Sequence, residues 1–406
     1  MTIHSATWNK VRTILSATPS RLSLSRENDP TPTVINFDLA GRLWSIMQHG
    51  IFYQRGLNGR VVVKWVDPGR ARGRRWLSDE DARSLEEGAY LQIRELWEEL
   101  ESGRIHFEPH LDGSTIQDLQ RVAGFSTADL DQDVQSYRRI YKPVGILPPD
   151  QYQAVLLQAT EGCSYNQCTF CEFYRDQIFH IKNEPEFRSH CLNVRDFLGQ
   201  GLSLRRTIFL GDANALVIPQ KRLVPLFATI HEVFDVSALG GIFAFLDAFS
   251  GEKKQAEDYE ALRASGLERV YIGLESGYDP LLRYLQKPGT SRHALHTVRA
   301  IKSAGVAVGV IILLGAGGRA YADGHVRETI RTLNLMPLDM DDQIYFSELI
   351  EQEGMRYSIR AFQEELEPLS ERDRLHQAEQ IESGLKFTSA GGTPHISRYD
   401  IREFVY

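Results

Sequence analysis

Short apolar runs recur between residues 154 and 350: AVLLQA (154–159), TIFLGD (207–212), GIFAFLD (241–247), RVYIGLES (269–276), AVGVIILLG (307–315) and QIYFSELI (343–350). Amphipathic stretches separate them, among them PQKRLVPLFATIHEVF (219–234), QAEDYEALRASG (255–266), SRHALHTVRAIKSAG (291–305) and ADGHVRETIRTLNL (322–335). Apolar strands that alternate with helices predict a parallel sheet with right-handed crossovers. Six such units predict an α/β fold, a partial (β/α)6 TIM-like barrel, in which ligands sit at the carboxyl ends of the strands.

The flanks read differently. IFYQRGLNGRVVVKWV (51–66) predicts a hairpin turning at Asn58-Gly59. RWLSDEDARSLEEGAYLQIRELWEELESG (75–103) predicts a helix capped by Ser78 and Asp81, with Leu85, Ala89, Ile93, Leu96, Trp97 and Leu100 on one core-facing side. The expected organisation is a flexible N-terminal arm (1–33), an N-terminal α+β domain (34–150), the core barrel (151–350) and a C-terminal extension covering the barrel (351–406).

Composition adds exclusions. A net charge of −8 speaks against a broad nucleic-acid face, and no run approaches the roughly 20 apolar residues that span a bilayer. GRARGRR (69–75) gathers four arginines; it reads as a solvated basic loop, with a phosphate or RNA contact as the lesser reading. The first 27 residues hold basic residues and serines, with no acid before Glu27, a bias shared by transit peptides and disordered arms. The expectation is a cytoplasmic protein with a loose N-terminus. Four cysteines in 406 residues are no secreted disulfide scaffold.

Three of them, Cys163, Cys168 and Cys171, lie in EGCSYNQCTFCEFY (161–174) with C-x4-C-x2-C spacing, directly after the first core strand. Structural zinc would need a fourth ligand such as Cys191 or His180. The spacing also fits a plant-type ferredoxin run with Cys191 as the distant fourth ligand. Three inert thiols, or a 4Fe–4S cluster on three thiolates with one open iron, complete the readings. Placement at a strand mouth of a larger barrel favours the last. The neighbouring Tyr165, Phe170, Phe173 and Tyr174 suit shielding such a group.

In these residues the chain resembles the radical S-adenosylmethionine (SAM) superfamily, and more narrowly the branch of oxygen-independent coproporphyrinogen oxidase, the elongator catalytic subunit and the methylthiotransferases. The family's usual motif is C-x3-C-x2-C with an aromatic residue before the third cysteine; Phe170 matches, whereas SYNQ adds one residue. By that resemblance Cys163, Cys168 and Cys171 hold a 4Fe–4S cluster, and Gly211, Asp212 and Ala213 bind the methionyl amino group of SAM. It further implies that Asp247 and Glu275 contact the cofactor and Lys287 its carboxylate, while Gly315 and Gly317 frame the adenine. The bland reading of Asp212 is a helix cap, and of Cys191 a buried core thiol. The resemblance implies an enzyme of oxidoreductase or transferase type. Its cluster cleaves SAM reductively to a 5′-deoxyadenosyl radical that abstracts hydrogen from an organic substrate. It also implies a small-molecule substrate and a reductant such as flavodoxin or ferredoxin. The alternative is an iron–sulfur electron-transfer or regulatory protein with Cys191 as fourth ligand.

Overall fold

The computed structural model describes residues 2–406 except 28–30, 68–71, 252 and 388–390. It divides into two compact units. One comprises residues 1–143, 192–206 and 402–406; the other comprises 144–191 and 207–401.

The first unit is built on an eight-stranded antiparallel meander: β1 (Thr2–Trp8), β2 (Val11–Thr18), β3 (Arg21–Arg26), β4 (Thr33–Asp38), β5 (Leu43–Gln48), β6 (Ile51–Arg55), β7 (Val61–Val66) and β8 (Arg72–Trp76). Three helices follow, α1 (Asp79–Glu101), α2 (Gly113–Ala123) and α3 (Thr127–Ile140). Leu15, Leu22, Leu24, Ile35 and Phe37 alternate with polar residues along their strands and pack with Tyr90, Ile93 and Leu96 of α1. Ser78 caps α1 by accepting from the Asp81 N–H. The hairpin at 51–66 pairs as expected from its Asn-Gly turn, with Gly59 at φ +84°.

The expected flexible arm is corrected: within 1–33, β1 to β3 are paired strands. His4, Trp8, Thr13, Leu15, Leu22 and Leu24 form a period-two buried set. The intervening serines and arginines, which resemble a disordered composition, occupy the other face. Asp29 and Pro30 of the DPTPT stretch, and residues 69–71 of the arginine-rich stretch, lie outside the described residues. Arg74 of that stretch pairs with Glu403 at 3.4 Å.

The second unit carries a seven-stranded parallel sheet in the order β17-β16-β15-β14-β13-β12-β9. Its strands are β9 (Ala154–Gln158), β12 (Thr207–Gly211), β13 (Ile242–Leu246), β14 (Leu267–Glu275), β15 (Ala307–Leu314), β16 (Gln343–Glu348) and β17 (His395–Tyr399). A two-residue ribbon, β10 (Thr160–Glu161) with β11 (His180–Ile181), follows the first strand. The helices are α4 (Glu184–Leu198), whose residues from 192 on belong to the first unit, α5 (Gln220–Val233), α6 (Ala248–Gly251), α7 (Ala256–Ala264), α8 (Asp279–Tyr284), α9 (Ser291–Ser303), α10 (Gly318–Asn334), α11 (Arg356–Gln363) and α12 (Glu371–Gly384). All six apolar runs are strands of this sheet, as their unbroken burial requires of parallel strands covered on both faces. This is a partial TIM-like barrel. The seventh strand comes from the C-terminal segment, which extends the sheet by pairing with β16 (Tyr345↔Ser397). No described helix is long and apolar enough to cross a membrane.

Candidate active site

The carboxyl ends of the parallel strands surround a cavity of about 430 Å³. Each strand stops where its apolar run stops, so the polar residues that end the runs meet on one rim. Cys163, Cys168 and Cys171 line this cavity from the loop after β10. With them lie Phe170, Ala213, Asp247, Glu275 and Lys287.

The cysteine loop is tied to the barrel at several points. The Thr169 N–H donates to the Leu285 carbonyl at 2.9 Å, and the Tyr357 N–H donates to the Thr169 carbonyl at 3.1 Å. Burial pushes the Cys168 thiol up to about 12, partly offset by Lys287, and the Cys171 thiol up to about 11. Among the described residues no three His, Cys, Asp or Glu side chains gather round one metal ion. A four-iron cluster does not ask for that, since each thiolate binds a different iron. A loop with three thiols and no other cysteine on the cavity wall fits such a cluster with one iron left open.

The same cavity wall carries a buried ion pair. Glu275 ends β14 in the left-handed region, φ +58°, and its carboxylate receives the Lys287 ammonium at 3.1 Å. A non-glycine residue held in that region is costly and marks a site where the surroundings dictate conformation. Gly273 makes the pair possible. A Cβ there would stand 2.3 Å from Glu275 Oε1 and 3.0 Å from Lys287 Nζ. Burial opposes the Lys287 charge, but Glu275, Cys168 and Asp247 outweigh it and hold the ammonium above its ordinary value. The Lys287 ammonium also lies 6.0 Å from the Phe170 ring centre. Asp247, just past β13, accepts from Asn214 Nδ2, whose carbonyl oxygen faces the Asp247 N–H at 3.4 Å.

Four expected residues fall elsewhere. Gly211 is not on the cavity wall; its Cα faces the Leu156 side chain, which a Cβ would meet at 2.8 Å. Asp212 is turned into the protein. Its carboxylate accepts from the Tyr174 hydroxyl and from Gln158 Nε2, both at 3.2 Å, and burial raises it to about 7. Gly315 donates its N–H to Gln377 Oε1 and Gly317 to the Tyr357 hydroxyl, each at 2.9 Å. The C-terminal helices α12 and α11 thus cover the glycine turn that the family resemblance assigns to the adenine. Cys191 is fully buried in α4 and absent from the cavity wall, which leaves the four-cysteine alternative without support.

Other wall residues escape sequence reading. Ser347 and Glu348 end β16, where the strand-end rule would have found them. Tyr399 of β17 had no local signal. Its hydroxyl meets Ser347, and burial raises it above the ordinary phenol range.

Residues 157–333 match the family model of the radical SAM superfamily. Among solved structures, the chain is similar to coproporphyrinogen III oxidase (HemN) from Escherichia coli, a radical SAM enzyme. Identity is 14%, covering 44% of this chain and 39% of that one, with a TM-score of 0.35. It is similar to methylornithine synthase (PylB) at 17% identity, covering 60% and 70%, with a TM-score of 0.40. It is also similar to the radical SAM methyltransferase TsrM from Kitasatospora setae, at 17% identity over 55% and 43% with a TM-score of 0.41. The chain spans less than half the length of the oxidase and of the methyltransferase. No curated protein sequence matches it. The chain therefore carries, over residues 157–333, a domain of the radical SAM superfamily, whose enzymes use a 4Fe–4S cluster and SAM.

Proposed function

We propose that the barrel cavity is the place where this enzyme generates a 5′-deoxyadenosyl radical and directs it at a C–H bond of a small organic substrate. The observation that carries the reading is the sharing of one cavity by three thiols, the Glu275–Lys287 pair and Asp247. Bound there, the cluster would supply the electron that cleaves SAM.

In this reading Cys163, Cys168 and Cys171 hold the cluster. The Lys287 ammonium spends one hydrogen bond on Glu275 and keeps donors for a carboxylate. Asp247 and Glu275 offer acceptors to ribose hydroxyls and an ammonium group. Ala213, beside Asn214, contributes backbone at the same rim. The apolar wall, including Phe245, Ile311 and Leu349, keeps water from a reactive carbon radical. A one-electron donor of the flavodoxin or ferredoxin kind completes the system.

The test replaces each of the three cysteines by Ala and measures iron, sulfide and SAM cleavage after anaerobic reconstitution. Every variant is expected to lose the cluster and the cleavage while keeping the parent's circular dichroism. Cleavage surviving in any of the three, or Cys191→Ala abolishing the cluster, would refute the assignment. Comparing metabolites of deletion and parent strains then identifies the substrate.

A further inference from the structure

The SYNQ insert between Cys163 and Cys168 makes the thiol loop one residue longer than the C-x3-C pattern. The structure shows how the extra residue is absorbed. Asn166 adopts φ +49°, a left-handed conformation that reverses the chain within the insert. Its N–H then points at the Cys163 sulfur, N to Sγ 3.4 Å. Its side-chain Nδ2 donates to the Tyr174 carbonyl at 2.7 Å.

Arg175 grips the same turn from behind. Its Nη1 donates to the Asn166 carbonyl at 2.7 Å, its Nη2 donates to the Cys168 carbonyl, and its Nε faces Glu172 at 3.4 Å. One planar guanidinium therefore holds the carbonyls of the turn residue and of the second cysteine in a fixed relation, a geometry that no lysine reproduces. The rest of the insert is also held. Asn214 Nδ2 reaches Ser164 Oγ at 3.4 Å, and Arg356 Nη1 reaches Gln167 Oε1 at 3.3 Å.

From this we infer that Asn166 and Arg175 are positioning residues for the iron–sulfur cluster: they fold the lengthened loop back to a three-thiol footprint and aim a backbone N–H at the Cys163 sulfur. The inference rests on the reading that the three cysteines hold the cluster. Two consequences follow from the geometry. A loop locked before metal arrives retains iron more firmly, as groups that orient metal ligands do. An N–H···S hydrogen bond favours the more negatively charged reduced cluster, so it raises the reduction potential.

The experiment compares the parent with Asn166→Gly, Asn166→Val and Arg175→Met, all reconstituted anaerobically. It reads the rate of iron loss to a chelator, the cluster's reduction potential and the thermal midpoint of the metal-free chain. Glycine accepts the left-handed turn and keeps the N–H but loses the Nδ2 bond to Tyr174, so Asn166→Gly should fall between the parent and Asn166→Val. Valine resists that turn. Asn166→Val and Arg175→Met should each lose iron about tenfold faster, at a more negative potential, with metal-free midpoints near the parent's. Should Arg175→Met not fold, the glycine–valine pair carries the test alone. Equal iron retention and potential in Asn166→Gly and Asn166→Val would overturn the inference while leaving the cluster assignment intact. A parent that takes up no cluster would instead overturn the assignment beneath it.

Discussion

The two ends of the barrel are both polar, yet they are built to opposite purposes. At the amino ends of the strands a set of polar side chains is committed to one another. Asp150 accepts from the Tyr345 hydroxyl at 2.7 Å and from Arg269 at 3.0 Å, and it also accepts from the Tyr271 hydroxyl. Gln151 bridges Tyr271 and Thr207. Rings then run on from this plug: Tyr271 lies 5.9 Å from Phe245 and 6.4 Å from Tyr345, which is 5.7 Å from Tyr399. Phe245 and Tyr399 are themselves part of the cavity wall at the carboxyl end. There polar pairs, Glu275 with Lys287 and Asp247 with Asn214, border an open space, and Glu275 is held in a left-handed backbone. A closed network serves stability, and an open one leaves donors and acceptors for a ligand.

Mutating each end should separate these purposes. The largest effect is expected at the closed end. Asp150→Ala leaves the Tyr271 and Tyr345 hydroxyls and a largely shielded Arg269 without their shared acceptor, at a cost of about 2–3 kcal/mol of folding stability. Denaturant unfolding measures that loss, and SAM affinity of the reconstituted enzyme should be unchanged. A fall in affinity comparable to the fall in stability would break the distinction between the ends.

The open end should respond the other way. Glu275→Ala and Asp247→Ala are expected to keep a normal cluster spectrum yet to weaken SAM binding about tenfold or more; Glu275→Ala also loses stability, because it strands the buried Lys287 ammonium. The weakened binding corresponds to the roughly 1.5–3 kcal/mol of a charge-assisted hydrogen bond. Titration of the reconstituted enzyme with SAM measures this, and parent-like affinity in both variants would remove the two carboxylates from the pocket.

The remaining effect depends on pH and concerns Asp212, which sits at the open end but faces inward. Burial raises its carboxyl to about 7 from an ordinary value of 3.8. A folded-state value above the unfolded one means that the native state holds the extra proton. The contribution to stability is present below about pH 4 and is lost as the pH rises through about 7. Asp212→Asn should abolish this dependence. Its unfolding midpoint is expected to gain a few degrees on the parent between pH 4 and pH 8, with SAM affinity unaffected. A midpoint difference that stays flat across that range would show that burial does not govern this carboxyl.

Much of this was readable along the chain. The six strands of the barrel announce themselves because a parallel strand covered on both faces must be apolar throughout, and that requirement is local. The three thiols are equally local, being confined to nine residues at one strand mouth. What escaped depends on partners far away in sequence. Asp150 follows the proline pair 148–149 and reads as a linker residue. Its arginine and tyrosine partners lie 119 to 195 residues further on. The strands within residues 1–33 were hidden because serine and arginine on an outward face look the same as serine and arginine in a loose arm. Only the pairing of β1 to β3 distinguishes them.

The sequence by itself determined the parallel barrel, the thiol loop at its mouth and the set of polar residues at the strand ends, since each follows from periodicity and spacing within a few residues. Only the tertiary structure decided which strand-end residues face the cavity. Asp247 and Glu275 line it, Asp212 turns toward Tyr174 and Gln158, and the turn at Gly315 and Gly317 disappears beneath α11 and α12. It alone placed Tyr399 on the wall by adding HISRY as a seventh strand. The direction of a side chain past the end of a strand is set by whatever packs against it, and those neighbours come from segments that no local pattern connects.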